Sequence, residues 1–177
     1  MEGVKMTKVK FVDLGRQYKN LKNEILEKVN ELSSKGAYVL TEELKIFEEN
    51  MAKYCDTKYA IGVANGTDAL ILALKALGVS NNDEVITVPN SFIATAGAIA
   101  ACGAKPVFVD VDKDFNIDPR LVEEAINENT KAIIPIHLTG RSANMDPINE
   151  IAKKHNLFVI EDAAQAIGAL YNGKMVG

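Results

Sequence analysis

Leu157-Phe158-Val159-Ile160-Glu161-Asp162-Ala163-Ala164-Gln165-Ala166 joins a four-residue apolar run to a pair of acids, and this junction decides the fold. A parallel strand covered on both faces is apolar throughout, without alternation. Open α/β sheets bind ligands outside the carboxyl ends of their strands, so Glu161 and Asp162 put charge where a ligand would sit. An acidic turn after a strand would look the same, and on these residues alone both readings stand. A second signal, at Gly66, shifts the balance.

Upstream of this run, Tyr59 to Val63, Val85 to Val88, Pro106 to Val109 and Ala132 to Ile136 are further apolar stretches of strand length. Helical patterns fill the gaps. Asp118-Pro119 and Asp146-Pro147 each pair an N-cap with a proline at the first helical position. Lys153, Lys154 and His155 crowd the last turn of the helix after Asp146, and Asn156 can end it. Such alternation predicts the α/β class: three layers, a mainly parallel sheet with helices on both faces, and right-handed crossovers.

Before the first strand, Leu21, Ile25, Val29 and Leu32 form one apolar stripe on a helix expected over Gln17 to Leu32. Ser33-Ser34-Lys35-Gly36 stops it. Thr41 can cap a second helix, with Glu42 and Glu43 at the positive end of its dipole and Leu44, Phe47, Met51 and Tyr54 on one face. The expected organisation is a helical segment over residues 1–58 and a partial cofactor-binding large domain over 59–177, with no smaller carboxyl-terminal domain in the sequence.

With 177 residues, 47% of them hydrophobic and 25% charged, the chain suits an ordinary globular domain. A domain of this size buries roughly 70% of its unfolded surface. The net charge of -4 provides no basic field, so no nucleic-acid partner is expected. Cys55 and Cys102 lack partners at metal-ligand spacing, which argues against structural zinc and suits reduced thiols in the cytoplasm. Met1 to Lys10 lacks the apolar run of a signal peptide, and no stretch is long enough to span a membrane.

Ala64-Asn65-Gly66-Thr67-Asp68 leads into Ala69, Leu70, Ala73, Leu74 and Leu77 at helical spacing. Free amides at Gly66, Thr67 and Asp68, the Thr67 hydroxyl and the helix dipole would together hold a phosphate. A plain N-cap turn explains the same residues. Farther on, Phe92 stands at a strand end, where it either caps the core or offers its ring to a planar ligand. His137 is similarly open, whereas His155 reads as a solvated helix-end residue. A phosphate cradle, an aromatic, a histidine and a carboxylate at one sheet edge fit pyridoxal 5'-phosphate, whose ring nitrogen needs a carboxylate to keep it protonated.

Asn65-Gly66-Thr67-Asp68-Ala69-Leu70, Ser91-Phe92-Ile93-Ala94-Thr95, His137-Leu138-Thr139-Gly140 and Glu161-Asp162-Ala163-Ala164-Gln165 closely resemble the amino-terminal half of the DegT/DnrJ/StrS-type sugar aminotransferases, which are fold type I pyridoxal phosphate enzymes. The resemblance runs from Phe11 to Gly177. It implies that Gly66 and Thr67 hold the cofactor phosphate, Phe92 stacks on the ring, Asp162 pairs with the pyridine nitrogen, Gln165 contacts the ring hydroxyl and Asn65 adds a backbone contact. It also implies a homodimer and a ping-pong transfer from an amino acid, usually glutamate, to a keto sugar linked to a nucleotide. Val88 to Thr95 looks most like members acting on dTDP-linked 3-keto sugars. Leu40-Thr41 and Asn82 depart from the family pattern, each standing where a glycine is usual.

The family's Schiff-base lysine lies downstream of Lys174-Met175-Val176-Gly177, and no lysine present matches its motif, so no catalytic residue is assigned and the isolated chain is expected to be inactive. Two other functions fit the same residues. A sugar dehydratase of the same family carries histidine in place of that lysine, and a non-catalytic domain would bind only a phosphorylated ligand or a partner subunit.

Overall fold

The computed structural model describes residues 9–177, so the amino-terminal stretch read above as lacking a signal peptide lies almost wholly outside the described residues. The chain divides into two compact units, ending at Phe47 and beginning at Glu48.

In the first unit, α1 spans Leu14–Ser34, longer than the apolar stripe alone predicts. Asp13 sets its start by accepting a hydrogen bond from the Arg16 amide at 3.2 Å. Its end follows the chemistry of Ser33 to Gly36: Gly36 adopts φ 63°, and the Ala37 amide turns back to the Leu32 carbonyl. Glu31 lies between Lys28 and Lys35, whose hydrogen bonds draw its carboxyl down to about 2. Leu21, Ile25 and Val29 keep their apolar stripe exposed. The second helix, α2 (Glu42–Tyr54), starts directly after Thr41, as expected, and runs across the division between the units.

The second unit contains α3 (Gly66–Ala76), β1 (Glu84–Thr87), α4 (Ile93–Ala101), β2 (Lys105–Phe108), α5 (Pro119–Ala125) and β3 (Thr130–Ile133). A 3₁₀ turn at Leu138–Gly140, α6 (Met145–His155), β4 (Phe158–Val159) and a hairpin of β5 (Leu170–Tyr171) with β6 (Lys174–Met175) complete it. The sheet order is β2-β1-β3-β4, parallel throughout. Period-two alternation divides its side chains between two cores. Val85, Ala132 and Ile134 pack with Leu70, Leu74, Ala98 and Ile99 of α3 and α4, and Ile86, Val88 and Ile133 pack with Val122, Ile148 and Ile151 of α5 and α6. Three layers result, as the alternating pattern predicts. The near-continuous small residues of α4 let it pack against α3.

Two expectations fail. Tyr59 to Val63 is not a strand: Tyr59 and Ile61 are 72% and 80% exposed, and the Gly62 amide donates to the Glu48 carboxylate at 2.7 Å. An apolar run becomes a strand only through a ladder, and this one has no neighbour among the described residues. Asp146 is not the cap of α6, which begins after Asn144. Burial of Met145 in the core pulls the helix start forward, and Pro147 still falls within the first turn, where amides have no helical partner anyway. Asn156 does end α6, at φ 54°. Asp118 and Pro119 start α5 as expected.

From β1 the chain steps outward to β2, then returns past β1 to β3 on the other side. The carboxyl ends of β1 and β3 therefore flank the point where strand order reverses, where a crevice opens. Beyond β4 the parallel pairing continues: the Ile160 amide reaches Ile133, the Asp162 amide reaches Pro135, and the His137 amide reaches the Asp162 carbonyl. This extension anchors Asp162 at the crevice even though β4 itself has two residues and leaves Phe158 40% exposed.

Candidate functional site

At that crevice lies a cavity of about 300 Å³ lined by Asn65, Gly66, Thr67, Phe92, Thr95 and Asp162, with Leu70, Ala94 and Ala164. A smaller recess of about 50 Å³ shares Phe92, Asp162 and Ala164 with it and adds Gln165. All six residues singled out from sequence therefore line one continuous region. His137 lines neither space.

The start of α3 is built by Asn65, whose side-chain oxygen accepts from the Asp68 amide at 2.9 Å while its amide group donates to the Asp68 carboxylate at 3.0 Å. That corrects one expectation: the Asp68 amide is already used, which leaves the amides of Gly66 and Thr67 at the helix start without an acceptor among the described residues. A Cβ built on Gly66 meets no heavy atom within 4 Å, so the backbone at this helix start is unobstructed. The α3 dipole adds positive potential at the same place.

Phe92 precedes α4, with 76% of its surface exposed and its ring at the cavity wall. The alternative that it caps the core is excluded by that exposure. Across the cavity, the Asp162 carboxylate accepts from the Ala164 amide at 3.2 Å and from the Thr95 hydroxyl at 3.3 Å. An ionised carboxylate offers about four acceptor positions, so both bonds leave capacity for a donor in the cavity.

Gln165 is oriented by a turn the sequence did not reveal. Its side-chain oxygen accepts from the Thr139 amide at 2.9 Å, which leaves its NH₂ group as the free donor. Thr139 reaches that position at φ 56°, an uncommon conformation for a β-branched residue. Asn116, almost fully buried, braces the turn by accepting from the Leu138 amide and donating to the Arg141 and Ser142 carbonyls. Only the tertiary fold brings residues so far apart in sequence together.

His137 is fully buried. Its Nδ1 accepts from the Ala143 amide at 3.1 Å, which assigns the proton to Nε2, 2.8 Å from Glu161. The histidine thus joins the core behind the site and not the cavity, because both ring nitrogens already have partners. Its hydrogen bond holds the Glu161 carboxyl below the usual range, helped by the Gly177 amide and opposed by partial burial. A carboxyl depressed in the folded state contributes stability that is present above the unfolded value, near 4.5, and is lost as pH falls through the folded one. The unfolding midpoint of the parent chain should therefore drop with pH below about 4.5 more steeply than that of Glu161→Gln. Parallel acid profiles for the two proteins would show that Glu161 makes no such contribution.

Among the described residues, no group of three or more metal-ligating side chains is positioned to hold an ion, and no helix is long and apolar enough to cross a membrane.

Residues 19–177 match the sequence profile of the DegT/DnrJ/EryC1/StrS aminotransferase family. A protein described as a pleiotropic regulatory protein of Geobacillus stearothermophilus is 54% identical over 96% of this chain and 46% of its own length. The dTDP-3-amino-3,6-dideoxy-alpha-D-galactopyranose transaminase of Aneurinibacillus thermoaerophilus is 49% identical over 96% of this chain and 47% of its own. Among solved structures, that of S. venezuelae DesV in complex with a ketimine intermediate superposes with a TM-score of 0.94 at 43% identity, covering 97% of this chain and 47% of that one. The chain spans about half the length of the curated relatives it matches.

Proposed function

Because the chain belongs to the DegT/DnrJ/EryC1/StrS aminotransferase family, we propose that it forms the cofactor-binding part of an enzyme that moves an amino group from an amino acid, glutamate, to a keto sugar linked to a nucleotide. The cofactor is pyridoxal 5'-phosphate. The observation that carries this reading is the single cavity at the strand-order reversal, which has a helix start at one side, an exposed aromatic ring and a carboxylate. These are the three groups that a phosphorylated, planar, basic heteroaromatic ring requires. The volume, about 300 Å³, is at the lower end of the range for small-molecule sites.

When bound, the cofactor supplies an electron sink for carbanion chemistry. The protein supplies the rest. The Gly66 and Thr67 amides and the Thr67 hydroxyl hold the phosphate, and Asn65 preserves the geometry of that helix start by capping it. Phe92 would offer its ring to the cofactor's ring. Asp162 would accept a hydrogen bond from the protonated ring nitrogen and keep that proton in place, while the Gln165 NH₂ would donate to the ring hydroxyl oxygen. In the same reading the enzyme is a cytoplasmic homodimer, in keeping with two free thiols and the exposed stripe of Leu21, Ile25 and Val29.

Thr67→Val preserves side-chain shape and removes one donor to a charged oxygen, a bond worth on the order of 1.5–3 kcal/mol. Equilibrium titration should show affinity for pyridoxal 5'-phosphate falling roughly tenfold or more, with the circular dichroism spectrum unchanged. Affinity equal to that of the parent protein would remove Thr67 from the phosphate site, and no measurable binding by the cofactor-free full-length parent would remove the cofactor.

A further inference from the structure

We propose that Thr95 is a positioning residue for Asp162, working through an ordered hydrogen-bond chain that runs from Ser91 through Thr95 to the carboxylate. This inference rests on the cofactor reading above. Thr95 is only 2% exposed, one of few polar side chains buried in this unit, and it sits in the first turn of α4 beside the cavity. A buried hydroxyl must place its proton somewhere. Its Oγ1 lies 3.3 Å from Asp162 Oδ2 and 3.4 Å from Ser91 Oγ.

The direction of the chain follows from counting protons. An ionised carboxylate only accepts, so the single Thr95 hydroxyl proton goes to Asp162. Between Ser91 and Thr95 the donor is then Ser91, because Thr95 has none left to give. Each hydroxyl in such a series polarises the next. Asp162 Oδ1 is meanwhile held by the Ala164 amide. Both carboxylate oxygens are thus tethered from the protein side, and the plane of the group is set before any ligand arrives. Without the Thr95 tether the carboxylate could turn about its Cβ–Cγ bond, and one donor stabilising its ionised form would be gone. A ligand nitrogen that shares a proton with Asp162 would then find a less well directed partner.

The test uses pyridoxamine 5'-phosphate, whose amine cannot form a Schiff base with lysine, so that binding is read without covalent chemistry. Thr95→Val keeps the branched shape and removes the hydroxyl. Its affinity should fall about five- to tenfold, and the pH midpoint of the bound ligand's absorbance band should move relative to the parent. Thr95→Ser, which restores the hydroxyl and drops the methyl, should lie within about twofold of the parent. Ser91→Ala should show a smaller shift in the same direction as Thr95→Val. In an Asp162→Asn background, Thr95→Val should add little, since the two changes act on one interaction.

A Thr95→Ser protein as weak as Thr95→Val would mean that packing of the methyl matters and the hydroxyl does not, which overturns the proposal. Unchanged affinity and pH midpoint in Thr95→Val would do the same. Should Thr95→Val not fold, Thr95→Ser and Ser91→Ala decide the matter through the same pH midpoint. If Asp162→Asn itself binds like the parent, the cofactor reading fails first, and that outcome is distinct from a loss of Thr95 coupling with Asp162 still required.

Discussion

Replacing Asp162 by alanine is expected to lower the amino transfer proposed above at least about a hundredfold in the full-length enzyme. Removing one partner of a buried charge pair costs ~3–5 kcal/mol, and Asp162 is only partly buried, so the lower end of that range applies. At 1.36 kcal/mol per factor of ten, ~3 kcal/mol corresponds to roughly two orders of magnitude. The loss should appear in kcat and in cofactor affinity together, because in the proposed reading the same carboxylate would both hold the ring nitrogen and keep it protonated. Asp162→Asn makes a sharper comparison. It retains one oxygen, for the Ala164 amide, and sets an NH₂ group against the Thr95 oxygen, which can accept from it, so its fold and cavity should survive while the charge is lost. Turnover near the parent value in either variant would show that another group partners the ring.

Ile133→Ala should destabilise the chain by ~2–5 kcal/mol, a large share of the ~5–15 kcal/mol that holds an ordinary domain together. Ile133 has no exposed surface and occupies the centre of the sheet, paired with Ile86 on one side and Val159 on the other, in the core shared with Ile148 and Val122. Its position leaves the surrounding strands little freedom to collapse into the space. Ile133→Val, which deletes a single methyl group, should cost only ~0.5–1.5 kcal/mol. Urea unfolding of both variants supplies the measurement. If alanine costs no more than valine, the packing around β3 is looser than its burial implies.

Some of this site was legible from local chemistry. Gly66-Thr67 reads as a helix start because Ala69, Leu70, Ala73 and Leu74 follow it at helical spacing after a short loop, and it is one. The apolar run before Glu161-Asp162 had to lie in a sheet, and pairing with β3 brings Asp162 to the crevice. Other features could not be read that way. Phe92 reads from sequence first as a core residue, and only its exposure turns it toward the cavity. His137 looks like a site histidine in sequence and is consumed by Ala143 and Glu161 in space. Thr95 and Asn116 carry no local signal of their own, because the partners that give them meaning are 67 and 22 residues away.

The amino-acid sequence by itself determined the class of fold, since strand-length apolar runs alternating with capped helices can bury their faces only as a sheet between two helical layers. It also determined which residue types stand at strand ends. The tertiary structure alone decided which strand-like runs pair, as the unpaired Tyr59 to Val63 shows, and which polar groups remain free to meet a ligand. The physical reason is the same in both cases. Helix starts and apolar periodicity are written within a few residues, whereas a strand and a hydrogen-bonded side chain each require a partner, and the fold chooses that partner across long stretches of chain.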